Sequence, residues 1–254
     1  MKRLFLLVTF LALMLPVMAY AWTQGDVPQF EKANKNYREG HFKEAISLYE
    51  ELAREHKEVW VFFYNLGNSY HRTSQRGQAI LAYKRAQRLD PRNQDILYNL
   101  RYVQGLGEYR IQDKRNWYVK FGMRMLDYVT EKEVGVLAFG FFFLFMAAWA
   151  FVLFFRPEAS WGWGRKILLF LTLFFGIGFG LKNIQNHVIR EAIVLSKDTP
   201  ARYGPSDSDQ VAFKLGEGLS AYVVDTREGW SRIFLVNGES GWVDNHNIAE
   251  VLPA

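Results

Sequence analysis

The sequence predicts a multidomain membrane protein in three parts: an all-α repeat array, a two-helix transmembrane hairpin and a small all-β barrel. A period of 34 residues between residues 27 and 104 predicts the array. Two uncharged apolar runs, 134–155 and 167–181, predict the hairpin, because the first is long enough to cross a hydrocarbon core of about 30 Å. Short β-type runs separated by turn signals after Glu191 predict the barrel.

These patterns also set the expected domain boundaries. A signal peptide is expected at 1–21 and the repeats at 22–108, with units at about 26–59 and 60–93 and a capping helix at 94–104. An amphipathic linker follows at 109–133. The transmembrane helices are expected at 134–155 and 167–184, joined by a cytoplasmic turn at 156–166, and the barrel at 190–254.

The first 21 residues have the pattern of a secretory signal peptide. Two basic residues precede an apolar run at 4–15, and Pro16 and an A-x-A cleavage sequence at 19–21 follow it. Cleavage there would begin the mature chain at Trp22, whereas a retained segment would be an N-terminal anchor. Both alternatives place the repeats outside the cytoplasm.

Small and aromatic residues recur 34 positions apart in the first soluble part, as Ala45 with Ala79 and Tyr49 with Tyr83. This is the period of the tetratricopeptide repeat, in which each unit is two antiparallel helices. The second unit resembles that family most closely, through Leu66, Gly67, Asn68, Tyr70, Ala79, Tyr83, Ala86, Asp90 and Pro91. The resemblance implies packed helix pairs, with 94–104 covering the open end of the array.

The same resemblance implies a groove, lined by the first helix of each pair, that binds an extended peptide or a partner helix. Asn and Arg side chains there can hydrogen-bond a peptide backbone or a carboxylate. The known clamp for a C-terminal carboxylate is not expected, because Phe30 and Asp95 occupy two of its lysine positions. A solvated helix face is the alternative for each residue. The implied groove residues are Asn34, Arg38, Asn65, Asn68, His71, Arg72 and Asn99.

Six basic residues cluster in and after the second unit. Such a cluster is more typical of a solvated helix surface than of a nucleic-acid site, and a domain outside the cytoplasm rarely meets nucleic acid. We therefore expect no nucleic-acid partner. The cluster comprises Arg72, Arg76, Lys84, Arg85, Arg88 and Arg92.

Aromatic residues recur at helical spacing in the linker 109–133, where Trp117, Phe121 and Tyr128 share one helical face and basic residues accompany them. We expect a helix that lies in the membrane interface. A last helix packed on the array is the alternative.

The two apolar runs contain no ionisable residue, which argues against a proton or ion path. Gly176 and Gly180 have the G-x-x-x-G spacing that permits close helix contact. Basic residues occur in both the linker and the turn 156–166, so charge alone does not orient the hairpin. The signal segment does orient it, and it predicts that both soluble parts lie outside the cytoplasm.

Six β-type runs occupy the C-terminal part, at 192–195, 210–215, 219–225, 230–236, 241–243 and 248–252. Asn237-Gly238 is a strong hairpin signal. The order of glycines and tryptophans, as in Gly229-Trp230 and Gly241-Trp242, resembles the bacterial SH3 domain family. That resemblance implies a barrel that binds peptidoglycan or protein peptides. A groove for proline-rich peptides is not expected, because 244–248 has neither Pro nor Tyr.

Four aromatic residues are candidates for a binding face of this barrel. A core position is the alternative for Trp230 and Trp242, and for Trp242 we favour it. The candidates are Tyr203, Tyr222, Trp230 and Trp242.

Residues suited to catalysis are scarce in this chain of 254 residues. The absence of cysteine excludes disulfides, thiol catalysis and cysteine zinc sites. The five histidines lack metal-ligand spacing, and neither a G-x-S-x-G motif nor a phosphate loop occurs. We expect no enzymatic activity, no metal and no cofactor.

The order of signal segment, repeats, two spans and barrel resembles the BatE family of the Bacteroides aerotolerance (Bat) operon. The resemblance implies work beside membrane proteins with von Willebrand factor A domains and a cytoplasmic MoxR-type ATPase, in oxidative stress tolerance. The predicted function is a membrane-anchored envelope scaffold that binds partner proteins through the groove and the barrel. A tether or sensor that binds peptidoglycan through the barrel is the alternative, and an accessory subunit of an exporter or enzyme is a third.

Overall fold

The computed structural model describes residues 26–107, 109, 111–155 and 162–252. The predicted signal peptide at 1–21 and the first six residues of the predicted turn, 156–161, lie outside the described residues. Along the described chain, eight α-helices are followed by seven β-strands, with a 3₁₀ turn before the last strand.

Five helices form the N-terminal array: α1 (Asp26–Arg38), α2 (Phe42–Glu55), α3 (Trp60–Arg72), α4 (Arg76–Leu89) and α5 (Gln94–Gly105). Both ends of α3 and α4 lie 34 residues after the corresponding ends of α1 and α2, and α5 begins 34 residues after α3. The turn within each pair repeats as well, because Gly40 and Ser74 both have left-handed backbones, with φ of 82° and 61°. The predicted period is therefore a period of helix pairs.

Small residues allow the helices of the array to pack closely. Gly67 of α3 faces the ring of Tyr83 in α4, and a Cβ at this glycine would lie 2.7 Å from the ring. Leu52 takes the place that Ala86 has one unit later, and both are fully buried. The array ends on α5, where the side-chain oxygen of Asn93 accepts two backbone N–H groups of the first turn.

Three further helices follow the array. The linker forms α6 (Trp117–Asp127), and the apolar runs form α7 (Glu131–Phe155) and α8 (Trp163–His187). Helices α7 and α8 are long and apolar enough to cross a membrane, and only a minority of their residues is buried within the protein.

Helix α7 begins before its predicted span, and α8 extends past both ends of its own. Polar side chains join the two helices where α7 begins and α8 ends. At their shared end, the Glu131 carboxylate accepts hydrogen bonds from the side-chain amides of Asn183 and Asn186, at 3.2 and 2.8 Å. The hairpin is thus closed by polar contacts where the apolar sequence stops.

Aromatic rings, and not the predicted glycine pair, form the contact within the hairpin. The rings of Phe141 and Phe175 stack with their centroids 5.1 Å apart. A Cβ at Gly176 or Gly180 would meet no described atom within 4 Å, whereas one at Gly135 would touch the opposite helix. The G-x-x-x-G pair therefore faces away from α7.

Seven antiparallel strands form the C-terminal β-domain: β1 (Arg190–Val194), β2 (Thr199–Arg202), β3 (Val211–Leu215), β4 (Ser220–Arg227), β5 (Trp230–Phe234), β6 (Ser240–Asp244) and β7 (Ile248–Glu250). Their order in the sheet is β3-β2-β6-β5-β4-β1-β7. Side chains from all seven strands enter one buried cluster, so the sheet curls around a single core. Asp244 caps the 3₁₀ turn by accepting the backbone N–H of His246 at 2.8 Å.

Strand β2 is missing from the predicted β-type runs. It contains Pro200, which has no N–H to donate and is rare inside sheets. Strand β2 pairs with β3 along its length but meets β6 only where Arg202 lies opposite Trp242. One side of the strand is therefore largely free of ladder bonds, which is where a sheet tolerates proline.

Candidate functional site

A cavity of about 390 Å³ opens on the array between the first helices of its pairs. We call this cavity the array groove. Helices α1, α3 and α5 supply seven of the residues that line it, and Tyr83 of α4 forms its floor. The lining residues are Tyr37, Asn68, His71, Tyr83, Tyr98, Asn99, Tyr102 and Val103.

Two asparagine amides are bonded to each other in the array groove. The side-chain oxygen of Asn68 accepts the Tyr83 hydroxyl at 2.6 Å and the Asn99 amide at 3.0 Å. The Asn99 amide also donates to the Tyr64 hydroxyl at 3.2 Å. Within the described residues, the Asn68 amide N–H groups and the Asn99 side-chain oxygen have no bonded partner. The groove thus offers a neighbouring donor and acceptor, the pair that a peptide backbone needs.

Aromatic side chains flank these amides. Tyr98 and Tyr102 are 66% and 52% exposed, and the ring of His71 meets that of Tyr102 edge to face, with centroids 5.7 Å apart. Burial raises the pKa of Tyr83 well above its ordinary range, so its hydroxyl stays neutral and donates to Asn68. The groove therefore combines uncharged hydrogen-bonding groups with aromatic surface.

The structure brings three of the seven predicted groove residues together, namely Asn68, His71 and Asn99. Asn34 accepts the Tyr49 hydroxyl at 2.8 Å, the same contact that Asn68 and Tyr83 make one unit later. This asparagine–tyrosine bond therefore recurs in successive units and is part of the packing of the array. The guanidinium of Arg72 lies 4.7 Å from the centre of the Phe42 ring, and Arg38 and Asn65 do not line the cavity.

Sequence reasoning missed the tyrosines of the groove. Apart from Asn99, it assigned 94–104 the role of a cap, although Tyr98 and Tyr102 stand four residues apart and flank Asn99 on α5. Aromatic residues at helical spacing beside a candidate asparagine were the available signal.

The basic cluster after Arg72 is a contact surface, so the prediction of a solvated helix face is wrong. Arg85 donates to the backbone oxygens of Glu250 and Val251, both at 2.9 Å. Arg76 donates to the backbone oxygen of Glu217 at 2.7 Å. These acceptors belong to the β-domain, which docks on α4 through the cluster.

The remaining basic residues extend this contact toward the hairpin. Lys84 lies 2.9 Å from the Glu191 carboxylate, which also accepts from Arg88 at 3.4 Å. Arg88 donates to the Asn186 side chain of α8 at 2.9 Å, and Arg92 pairs with Glu133 of α7. We call this surface, from Arg76 to Arg92, the junction.

Apolar packing supports the junction. Ile80 and Leu100 of the array share one buried cluster with Ile193 and Val251 of the β-domain. Gly77 allows α4 to approach β1 closely, because a Cβ there would lie 2.8 Å from the backbone of Leu195. The array and the β-domain therefore share a core.

Opposite charges set the titration of the buried pair at the junction. Burial alone would raise the pKa of Glu191, but Lys84 and Arg88 outweigh it and hold that pKa below its ordinary range. Burial alone would lower the pKa of Lys84, and the Glu191 carboxylate reverses that effect and raises it. Both groups are therefore charged near neutral pH.

Helix α6 lies at the ends of the hairpin. The Lys182 ammonium of α8 donates to the backbone oxygen of Leu126 at 2.8 Å, and the Gln185 amide donates to Asp127 at 2.6 Å. The rings on its apolar face remain uncovered, with Trp117 78% exposed. The apolar face of α6 is thus uncovered, and its place in the membrane interface stays a prediction.

The four aromatic candidates of the β-domain do not share one surface. Trp230 and Trp242 are diagonal neighbours on the outer face of β5 and β6, where the Arg227 guanidinium lies 5.4 Å from the centre of the Trp242 ring. Trp242 is nevertheless 8% exposed. Tyr222 lies opposite Glu191 beside the junction, and Tyr203 is exposed after β2.

The sequence of the β-domain matches a known family, described as the bacterial SH3 domain, over residues 196–250. Residues 196–250 are a bacterial SH3 domain. Strand β1 precedes the matched residues, yet it completes the SH3 sheet by pairing with β4 and β7. No curated protein matches the chain.

Proposed function

We propose that the protein is a membrane-anchored scaffold that binds an extended segment of a partner protein in the array groove. The array would be of the tetratricopeptide type, as the 34-residue period of its helix pairs indicates. The observation that carries the proposal is the amide pair of Asn68 and Asn99, which presents a donor and an acceptor to the groove.

In this proposal the amide pair forms hydrogen bonds with the backbone of the partner. The Asn68 amide donates to a peptide carbonyl, and the Asn99 oxygen accepts a peptide N–H. Each such bond contributes about 0.5–1.5 kcal/mol net, so the amides alone give weak, sequence-tolerant binding. Tyr98, Tyr102 and His71 supply aromatic area for the side chains of the partner, which adds affinity and selectivity.

The junction gives the scaffold its geometry. Helices α7 and α8 would anchor the chain, and the junction fixes the array and the SH3 domain at the same end of this hairpin. The groove is then held close to the membrane, where it suits a partner that is itself a membrane protein. The resemblance to the BatE family supplies the candidates, which are membrane proteins with von Willebrand factor A domains in oxidative stress tolerance. Both soluble parts would be periplasmic, at the bacterial inner membrane.

Cross-linking in cells followed by purification in mild detergent tests the proposal. We expect partner recovery to fall about tenfold in Tyr102→Ala and in Asn99→Ala, since both truncate groups at the centre of the groove. Tyr102 is exposed, so its loss leaves the core intact. Arg54→Gln on α2 is the control, because Arg54 is exposed and does not line the groove. Unchanged recovery from both groove variants would contradict the proposal.

A second candidate is a tether that binds peptidoglycan through the SH3 domain. The diagonal pair of Trp230 and Trp242 on its outer face favours this function, because aromatic rings beside Arg227 form an amphipathic surface. The full-length protein would then sediment with purified wall sacculi. Loss of sedimentation in Trp230→Ala, with Tyr102→Ala unaffected, would support the tether over the scaffold.

A further inference from the structure

A second cavity, of about 460 Å³, lies where α4, α6, the end of α8 and the strands β1 and β4 meet. We call it the junction cavity. Three carboxylates line it, those of Asp113, Asp127 and Glu191, against twice as many cations. The cations are Lys84, Arg88, Arg115, Lys120, Arg124 and Lys182.

Two of the carboxylates are already paired with cations of the cavity. Glu191 holds Lys84 and Arg88, and Asp113 holds Arg115 at 2.8 Å. The third, Asp127, accepts a neutral amide from α8. The cavity therefore keeps an excess of positive charge, because six cations line it against three carboxylates.

Lys182 is the decisive residue among them. It is only 5% exposed, and its ammonium donates to two neutral oxygens, the Leu126 carbonyl at 2.8 Å and the Gln185 side chain at 3.1 Å. Among the described residues, no carboxylate lies within 4.0 Å of this ammonium. Asp127 and Glu131 attract it only from beyond that distance, so this buried ammonium is stabilised further if another anion approaches it.

Arg124 is a further cation that faces the cavity, and unlike that of Lys182 its side chain has no hydrogen-bond partner among the described residues. It lies on the exposed side of α6. An ammonium and a guanidinium that face one cavity match the several oxygens of a phosphate group.

We propose that the junction cavity binds the phosphate of an anionic phospholipid headgroup. Lys182 stands where the apolar part of α8 ends, which is headgroup depth if α8 crosses a bilayer. The exposed rings of Trp117 and Phe121 on α6 provide an apolar surface beside the cavity for the rest of the lipid. A soluble phosphate shares the chemistry of the headgroup but makes no use of this surface. The proposal rests on the anchoring of α7 and α8 and is independent of partner binding in the array groove.

Native mass spectrometry of the full-length protein in mild detergent tests the proposal. The protein is offered equal amounts of phosphatidylglycerol and phosphatidylcholine. We expect preferential retention of phosphatidylglycerol, reduced on the order of tenfold in Lys182→Gln and in Arg124→Gln, because each loses a charge-assisted contact. Arg124→Gln removes no described hydrogen bond, so it separates lipid binding from folding. Arg54→Gln, the same change at an exposed site on α2, should retain the lipid.

Equal retention of the two lipids, or an equal loss in Arg54→Gln, would overturn the proposal. A parallel measurement adds inorganic phosphate at constant ionic strength and follows the unfolding temperature. Stabilisation by phosphate without any preference for phosphatidylglycerol would overturn the lipid as the source of the anion. Carbonate extraction of membranes tests the anchoring separately, since release of the wild-type protein would contradict the spans and not the charge of the cavity.

Discussion

The ammonium of Lys84 in α4 lies 2.9 Å from the carboxylate of Glu191 in β1, across 107 residues of sequence. Arg88 shares the same carboxylate, and it also donates to Asn186 of α8. One glutamate thereby links the helical array to the SH3 sheet, and Arg88 extends the link to the hairpin. The side chains of Lys84, Arg88 and Glu191 are 22%, 17% and 11% exposed, so the link is mostly screened from water.

Replacement of this glutamate should weaken the whole protein. Glu191→Gln leaves two largely buried cations without their counter-charge, and we expect a loss of about 3 kcal/mol in the free energy of unfolding. Thermal unfolding of the full-length protein in mild detergent measures the effect. Glu228→Gln, at an exposed turn, is the matched control. Equal unfolding temperatures for the two variants would show that the Glu191 contacts contribute little.

The same carboxylate should make stability depend on pH. The pKa of Glu191 is lower in the folded than in the unfolded protein. Its contribution to the free energy of unfolding is therefore complete above the ordinary pKa of a glutamate and is lost as the pH falls below about 4.5. The contribution of Lys84, whose pKa is raised, is lost only at strongly alkaline pH. The unfolding temperature of the wild type should therefore drop more steeply on acidification than that of Glu191→Gln. Parallel curves would contradict this assignment.

A single methyl group should disturb the contact between the array and the SH3 domain. In Gly77→Ala the new Cβ would lie 2.8 Å from backbone atoms of Val194 and Leu195, which cannot move without shifting the chain after β1. We expect a destabilisation of about 1–3 kcal/mol and faster amide exchange in β1. Gly105→Ala is the control, because a Cβ there would meet no described atom within 4 Å. Equal exchange in both variants would argue against a tight junction.

Local sequence predicted the elements of this protein better than it predicted their contacts. Ala45 and Ala79 stand at the same place in α2 and α4, the second helices of successive pairs, so their spacing predicts the helix pairs from the chain alone. The acceptors of Arg85 lie 165 and 166 residues away, and both are backbone oxygens, which carry no sequence signal. A basic helix that docks on a distant domain therefore looks like a solvated one.

The candidate site was predictable to a similar extent. Asn68 and Asn99 follow from the resemblance to a repeat family, since each stands on the first helix of a unit. An asparagine at this position can bind a ligand or only support the packing of the repeat, and the contacts of its side chain decide between the two. The tyrosine contact does not distinguish them, because Asn34 and Asn68 both accept a tyrosine hydroxyl. The side chains of α5 distinguish the two positions, and they approach Asn68 only in the folded array.

The junction also makes a prediction about topology. The array and the SH3 domain are docked, so both must lie on one side of the membrane. The chain has no cysteine, which allows clean labelling of Lys43→Cys in α2 and Arg232→Cys in β5, both at exposed positions. A maleimide that cannot cross membranes should label both variants in intact spheroplasts if the domains are periplasmic. Labelling of one variant alone would contradict the docked arrangement, and labelling of neither would reverse the orientation.

Photo-cross-linking from the array groove in living cells is the most direct test of the scaffold. A benzophenone amino acid at Tyr102, which is exposed and lines the groove, should form an adduct with a specific membrane protein. The same group at Arg54 on α2 should not form it. The adduct at position 102 should disappear when Asn99→Ala removes the acceptor beside it. Identical adducts at positions 54 and 102, or an adduct at 102 that persists in Asn99→Ala, would contradict binding of a partner in the array groove.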